Sequence, residues 1–355
     1  MALKSIKCTD FRCLHVVELE FSPGNNLICG PNASGKTSVL EAVGYLGRAR
    51  SFRGAVTSEL IRHGADEFTV VGRAEIGGRL VSLGVRNSRR GLVVHADGDR
   101  SNSAAALAEA LPLQVIDPDI HGLVGGGPEN RRRYIDWIAF HVEHGYLERW
   151  RRFRRALKQR NAALKGGAGA NSLVGWDKEL AGVGEELDAA RRRMLDVTRP
   201  VLQGVGERLL GSSVDMEYLQ GWSSGKSLAE ALAAGAERDR FLGSTQAGPH
   251  RADLRLDYDE RQARKLVSRG QQKLLACALV LAATEIVQGR LERPLLLLLD
   301  DPGAELDSES LGRLMGGVAR LGCQVIATTL ETGNGLFQTA PRLFHVEHGV
   351  VTGPH

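Results

Sequence analysis

Eight consecutive residues, Gly30-Pro31-Asn32-Ala33-Ser34-Gly35-Lys36-Thr37, have the types and spacing needed to hold a polyphosphate. They fit the pattern G-x-x-x-x-G-K-[ST] without a gap. Glycines let a backbone wrap an anion closely, and the amides of the loop and of the helix it opens point at the phosphates. Lys36 is placed to reach the β- and γ-phosphates and Thr37 to ligate Mg²⁺, with Ser38 next in the same site. An acidic half is then expected at the tip of a buried strand. The run Leu295-Leu296-Leu297-Leu298-Leu299 followed by Asp300-Asp301 supplies it. Asp300 is expected to hold Mg²⁺ through water and Asp301 to polarise an attacking water. The implied chemistry is binding and hydrolysis of ATP with Mg²⁺, Lys36 and Asp301 being the catalytic residues. A chance glycine-rich turn and a merely solvated strand-end acid are the bland readings, and each weakens because the other motif is present.

Lys36 and Asp300 lie 264 positions apart, so a large lobe is threaded between the halves of the site. A third motif, Ser268-Arg269-Gly270-Gln271-Gln272, opens a helix whose apolar face is Leu274, Leu275, Ala278 and Leu281. It is similar to the signature motif of ABC-type ATPases, in which a Ser and a Gly at a helix N-terminus bind the γ-phosphate of a partner subunit's ATP. Alone it reads as an ordinary helix cap; between a phosphate loop and an acidic strand tip it reads as a signature. Glu305-Leu306-Asp307 occupies the D-loop position, which in that class makes contacts across a dimer.

Over nearly its whole length the chain resembles the RecF family of bacterial recombination proteins. The resemblance rests on Asn32 to Thr37, Ser51-Phe52-Arg53, and Gly126-Gly127-Pro128 with Arg131, Arg132 and Asp136-Trp137. It also rests on Gly248-Pro249-His250-Arg251-Ala252-Asp253-Leu254, Ser268 to Gln271, and Asp300-Asp301 through Asp307. SMC and Rad50 heads share the ABC motifs but carry a long coiled coil, for which this chain has no room. The resemblance implies an α/β ABC-type ATPase head with an inserted helical lobe. It implies ATP-dependent homodimerisation on single- and double-stranded DNA at gaps and junctions, slow DNA-stimulated ATP hydrolysis, and loading of RecA with RecR and RecO. It further implies that Arg12 touches the nucleotide and that Gln114 is the Q-loop residue. The alternatives are a surface arginine and a strand-end hydrogen bond. Asp301 stands where transporters have Glu, and Thr328-Thr329 replaces the switch His. A hydroxyl can sense a γ-phosphate but carries no charge. Both departures suit a slow switch.

The elements that must position these groups are legible in outline. Val17, Leu19 and Phe21 alternate with Glu18 and Glu20 as a half-buried strand. Asn26 to Cys29 leads into the glycine loop, and Val39, Leu40, Val43 and Leu46 fall at helical spacing beyond it. Residues 68–95 read as strands turning at Gly77-Gly78, and Leu113 to Ile116 as a strand ending at Asp117-Pro118. Leu295 to Leu299 reads as a strand covered on both faces, with Val325 to Ala327 as another. Between them the chain reads as helix over 147–164, 176–210 and 228–241, with Gly166-Gly167-Ala168-Gly169 as a break. The expected domains are residues 1–124 with 242–355 as the ATPase lobe and 125–241 as the helical insertion. Past Gly248-Pro249-His250 the chain returns to strand at Leu254, Leu256 and Tyr258, assigned to the ATPase lobe.

Net charge is +4, with 37 Arg against 9 Lys, a bias for which Arg-rich codon usage is the larger cause and nucleic-acid binding the lesser. Residues 121–200 hold 16 basic and 10 acidic side chains, so the insertion is the basic part of the chain. Arg149, Arg151, Arg152, Arg154, Arg155, Lys158 and Arg160 wrap one predicted helix beside a Trp150/Phe153 stripe, and Arg131-Arg132-Arg133 and Arg191-Arg192-Arg193 add to it. Phosphate contact and a solvated helix face are equally compatible with this pattern. Arg149, Arg151, Arg152 and Arg155 are the candidate DNA contacts, reading backbone and shape. The five cysteines form no C-x-x-C pair, which favours buried free thiols over zinc or disulfides. No stretch reaches the ~18 apolar residues of a membrane span and no signal-peptide core is present, so a cytoplasmic, nucleoid-associated protein is expected. A transporter's ATPase subunit and a small-molecule kinase are the competing readings. The first lacks a reason for the basic lobe, and the second gives the signature and D-loop no role.

Overall fold

The computed structural model describes residues 1–97, 99–101, 103–167, 170–266, 268–330 and 335–353. It divides into two compact units, Met1–Ile120 with Glu292–His355, and His121–Leu291. The first unit opens with β1 (Ala2–Phe11), β2 (Leu14–Glu20) and β3 (Asn25–Cys29), then α1 (Lys36–Arg48) and a short α2 (Thr57–Leu60). It continues with β4 (Glu67–Ile76), β5 (Arg79–Ser88), β6 (Gly91–Ala96), β7 (Asp99–Ser101), α3 (Ala104–Ala110) and β8 (Leu113–Ile116). Six of these strands form an antiparallel sheet in the order β2-β1-β4-β5-β6-β7. The β4–β5 hairpin turns at Gly77 and Gly78, both at positive φ (57° and 78°), as a two-residue primed turn requires.

The second unit contains α4 (Gly122–Gly125), α5 (Pro128–Val142), α6 (Tyr146–Lys165) and α7 (Ala170–Leu210). Then come β9 (Val214–Leu219), α8 (Leu228–Leu242), β10 (Asp253–Tyr258), β11 (Arg261–Gln262), α9 (Ala263–Leu266) and α10 (Arg269–Leu291). The break expected at 166–169 falls partly on Ala168 and Gly169, which lie outside the described residues. The unit ends at Leu291, not at residue 241 as expected from sequence. The cause is β9, which carries no strong strand signal. It pairs with β10 from Asp253↔Leu219 to Tyr258↔Val214 in a separate three-stranded sheet, and so draws the chain past 242 into this unit. Helix α10 packs on α5 and α7 within the same unit. Among the described residues α10 is long and apolar enough to cross a membrane, with a mean hydropathy of 1.6 over its best window. That window is 67 % buried inside the protein, as a core helix would be.

The chain returns to the first unit with β12 (Leu296–Leu299), α11 (Ser308–Leu321), β13 (Gln324–Thr329), β14 (Arg342–Glu347) and β15 (Val350–Thr352). These complete a second sheet, ordered β15-β14-β3-β13-β12-β8, in which β14, β3, β13, β12 and β8 run parallel. All four residues of β12 are buried between β8 and β13, which explains the unbroken leucine run. One core joins the two sheets of this unit around α1, with Phe11, Tyr45 and Phe68 meeting edge to face.

Candidate functional site

The parallel strands β3, β12, β13 and β8 end at one edge, and the motif residues stand there. The glycine loop leaves β3 at Gly30, whose φ is 150° and where a Cβ would lie 2.1 Å from the Val346 carbonyl oxygen. No other residue fits that approach. Ala33 adopts φ 59°, a left-handed conformation that strains a side-chain-bearing residue. The loop is held from the side by the β14–β15 turn, where the Gly349 amide donates to the Ser34 carbonyl at 2.8 Å. Lys36 Nζ donates to the loop's own carbonyls, Gly30 at 2.7 Å and Pro31 at 2.8 Å. Those bonds hold the ammonium at the loop's mouth. Burial lowers its pKa, against the opposing pull of Asp301 and Asp300.

The acidic half meets the loop directly. The Thr37 hydroxyl donates to Asp300 Oδ1 at 2.9 Å, and the Thr328 hydroxyl to the same oxygen at 2.7 Å. Asp300 is only 6 % exposed. Burial raises its pKa, opposed by the two hydroxyl bonds and the Arg53 charge and reinforced by Asp301. Asp301 is half-buried at φ 46°, with its amide donating to Thr328 Oγ1 at 2.9 Å. Thr328 therefore ties both acids together. Thr37 and Asp300 supply the hydroxyl and carboxylate oxygens that a hard divalent cation takes beside phosphates. No group of three or more His, Cys, Asp or Glu able to hold a metal occurs among the described residues.

Other sequence candidates are placed less simply. Gln114 lies inside β8 opposite Leu297, and its side-chain oxygen accepts from Arg48 Nη2 at 3.2 Å. The edge position belongs to Asp117. Its pKa is pushed up to about 6 by burial and by the charges of Asp119 and Asp300. In sequence Asp117 reads only as a strand stop, although an acid ending a buried strand is the same signal that marks Asp300. Arg12 grips Glu41 on α1 through Nε and, at 3.0 Å, through Nη2. Glu41 escaped notice because an acid among helical apolar residues gives no periodic signal. Asp307 caps α11, accepting from the Ser310 amide at 2.7 Å, and this bond lowers its pKa. Ser38 Oγ lies 3.5 Å from Cys13 Sγ.

In the second unit Ser268 caps α10. Its hydroxyl accepts from the Gln271 amide at 3.3 Å, and Gln271 Oε1 accepts from the Ser268 amide at 3.0 Å. Ser268, Arg269 and Gln271 are exposed and Gly270 half-buried. The segment expected to be a signature is thus also a helix cap, and the first-turn amides of a helix lack intrahelical partners.

The basic residues sort by burial. Arg151, Arg152, Arg154, Arg155 and Lys158 are exposed on α6. Arg152 approaches Glu179 at 3.3 Å, Arg154 lies over the Trp150 ring, and Arg149 is half-buried against the His144 carbonyl at 2.8 Å. Arg160, expected on the surface, is wholly buried between Asp177 and Asp239, each at 2.6 Å. Arg131 and Arg191 are also interior. Arg131 binds Asp253, and Arg191 binds Asp136 and the Pro249 carbonyl. Arg132 donates to the Ala252 carbonyl at 2.7 Å. The block Gly248 to Leu254 is therefore a knot tied by arginines of α5 and α7. His250 within it donates to the Thr245 carbonyl at 3.0 Å, and burial pulls its pKa down to about 4.

A phosphate loop and an acidic strand tip at one edge of a parallel sheet, backed by an antiparallel sheet, define an ABC-type ATPase head. Residues 2–351 match the family described as RecF/RecN/SMC N terminal domain. The DNA replication and repair protein RecF of Azotobacter vinelandii is 43 % identical, covering 100 % of this chain and 99 % of that protein. RecF of Stutzerimonas stutzeri is 40 % identical over 100 % and 98 %. The chain belongs to the RecF family. Its structure is similar to that of the recombination mediator protein RecF-ATP in the RecFOR pathway, with TM-score 0.91, 26 % identity and coverage of 100 % and 98 %. An SMC head bound to the C-winged helix domain of ScpA shares the fold at TM-score 0.60 and 17 % identity, covering 99 % and 96 %. These relatives do not favour a transporter subunit.

Proposed function

We propose that this chain is an ATP-gated DNA-binding protein of recombinational repair and replication restart, acting in the cytoplasm. The observation that carries the reading is the Thr37–Asp300–Thr328 junction, which joins the phosphate loop to the acidic strand tip with the oxygen donors a Mg²⁺-bound triphosphate needs. Mg²⁺, held by Thr37 and Asp300, would neutralise charge on the phosphates. Lys36 leaves its loop carbonyls for the β- and γ-phosphates, and Asp301 orients the attacking water. The signature residues Ser268 to Gln271 and the D-loop residue Asp307 complete the site of a second copy. The ATP-bound dimer holds gapped or junction DNA through exposed basic residues of α6, chiefly Arg151, Arg152 and Arg155. Arg149 is secondary because its guanidinium is engaged within the protein. The RecFOR setting of the ATP-bound relative supports RecR and RecO as partners and RecA loading as the outcome. Fluorescence anisotropy of labelled gapped duplex, with and without ATP, tests this. Wild type is expected to bind more tightly with ATP and Lys36→Arg to lose that gain. Equal affinity with and without ATP would refute the gating.

A further inference from the structure

Glu41 belongs to none of the sequence motifs, yet it sits one turn beyond Thr37 on α1 and is 0 % exposed. A buried carboxylate is tolerated only when it is paired and hydrogen-bonded. Both of its oxygens accept from one guanidinium, Arg12, through Nε and Nη2. The Ser51 hydroxyl donates to Oε1 as well, and Ser51 Oγ accepts from the Ala55 amide at 3.1 Å. The Arg12 backbone is equally fixed: its φ is 52° and its amide donates to the Leu60 carbonyl at 2.7 Å. The turn that carries Arg12 is seated on the phosphate loop. Cys13 Sγ reaches Ser38 Oγ, and a Cβ on Gly35 would come within 3.1 Å of that sulfur. The two-point grip leaves Arg12 Nη1 without a protein partner among the described residues.

We propose that Glu41 is a positioning residue for nucleotide binding. It holds the Arg12 fork beside the phosphate loop with Nη1 available to a phosphate oxygen of a nucleoside triphosphate. Through Ser51 the same carboxylate fixes the segment that carries Arg53. A bidentate grip orders a long, flexible side chain before the ligand arrives, so binding does not bear that entropy cost. Lysine at position 12 would keep the charge but lose the fork. The inference rests on Arg12 being a nucleotide contact, and the test separates the two claims.

Affinity for a fluorescent ATP analogue is titrated for wild type, Arg12→Ala, Glu41→Gln and the double variant, alongside melting without nucleotide. Each single change is expected to weaken binding about tenfold, and the double variant no more than either, because Glu41 acts through Arg12. Additive losses, or wild-type affinity in Glu41→Gln, overturn the proposal. Wild-type affinity in Arg12→Ala instead overturns the reading of Arg12. Should Glu41→Gln fail to fold, Ser51→Ala and Glu41→Asp decide. Weaker binding that disappears as a separate effect in the Arg12→Ala background supports the proposal, and unchanged affinity in both overturns it.

Discussion

Asp117 stands at the carboxyl edge of β8, one residue past Ile116, whose carbonyl accepts the Asp300 amide at 2.8 Å. Burial and like charge raise its pKa to about 6. The folded protein therefore binds a proton more readily than the unfolded chain between pH 3.8 and about 6. The resulting penalty grows as pH rises through that window and is complete above it. Asp117→Asn is accordingly expected to stabilise the protein at about pH 7.5 by about 1–2 kcal/mol, after allowance for partial exposure, and to have no effect below about pH 3.8. Urea midpoints at the two pH values check this. At this scale the phosphate loop and Asp300 were legible because their chemistry demands fixed spacing. Glu41 was not, nor was the bond from Thr328 to Asp300, because these roles come from contacts between distant parts of the chain. Gln114 lies within β8 and Asp117 at its end, because sequence shows that a strand ends but not which residue meets the edge.

Helix α6 shows why charge along a sequence does not map a surface. Its arginines were read as one basic wrap, but Arg160 faces inward to Asp177, Asp239 and Thr245. Removing one partner of a buried pair leaves an uncompensated charge. Arg160→Met is therefore expected to cost about 3–5 kcal/mol in chemical denaturation. Arg155→Ala should shift stability by less than about 0.5 kcal/mol while weakening DNA binding. Comparable stability losses in both would contradict the division. Helices of the insertion and the strands β2, β3, β8, β12 and β13 are readable from period. Elements α11, β14 and β15 were not expected from the sequence, and β9 alternates buried and exposed residues over only part of its length. The block around His250 carries part of the family resemblance. In the structure its residues serve the arginine knot.

At the scale of the molecule, the fold class and the presence of an inserted lobe followed from the long separation of Lys36 and Asp300. The lobe's far boundary did not, because pairing of β9 with β10 decides it. The signature at Ser268 lies on the second unit and the phosphate loop on the first. In the proposed function ATP joins two copies. Sedimentation of wild type and Lys36→Arg, each with and without ATP and Mg²⁺, tests that most directly. Wild type should reach the mass of a dimer with ATP, and Lys36→Arg should show no ATP-dependent change. A wild-type dimer of undiminished strength without nucleotide, or one formed by Lys36→Arg on adding ATP, would contradict the account.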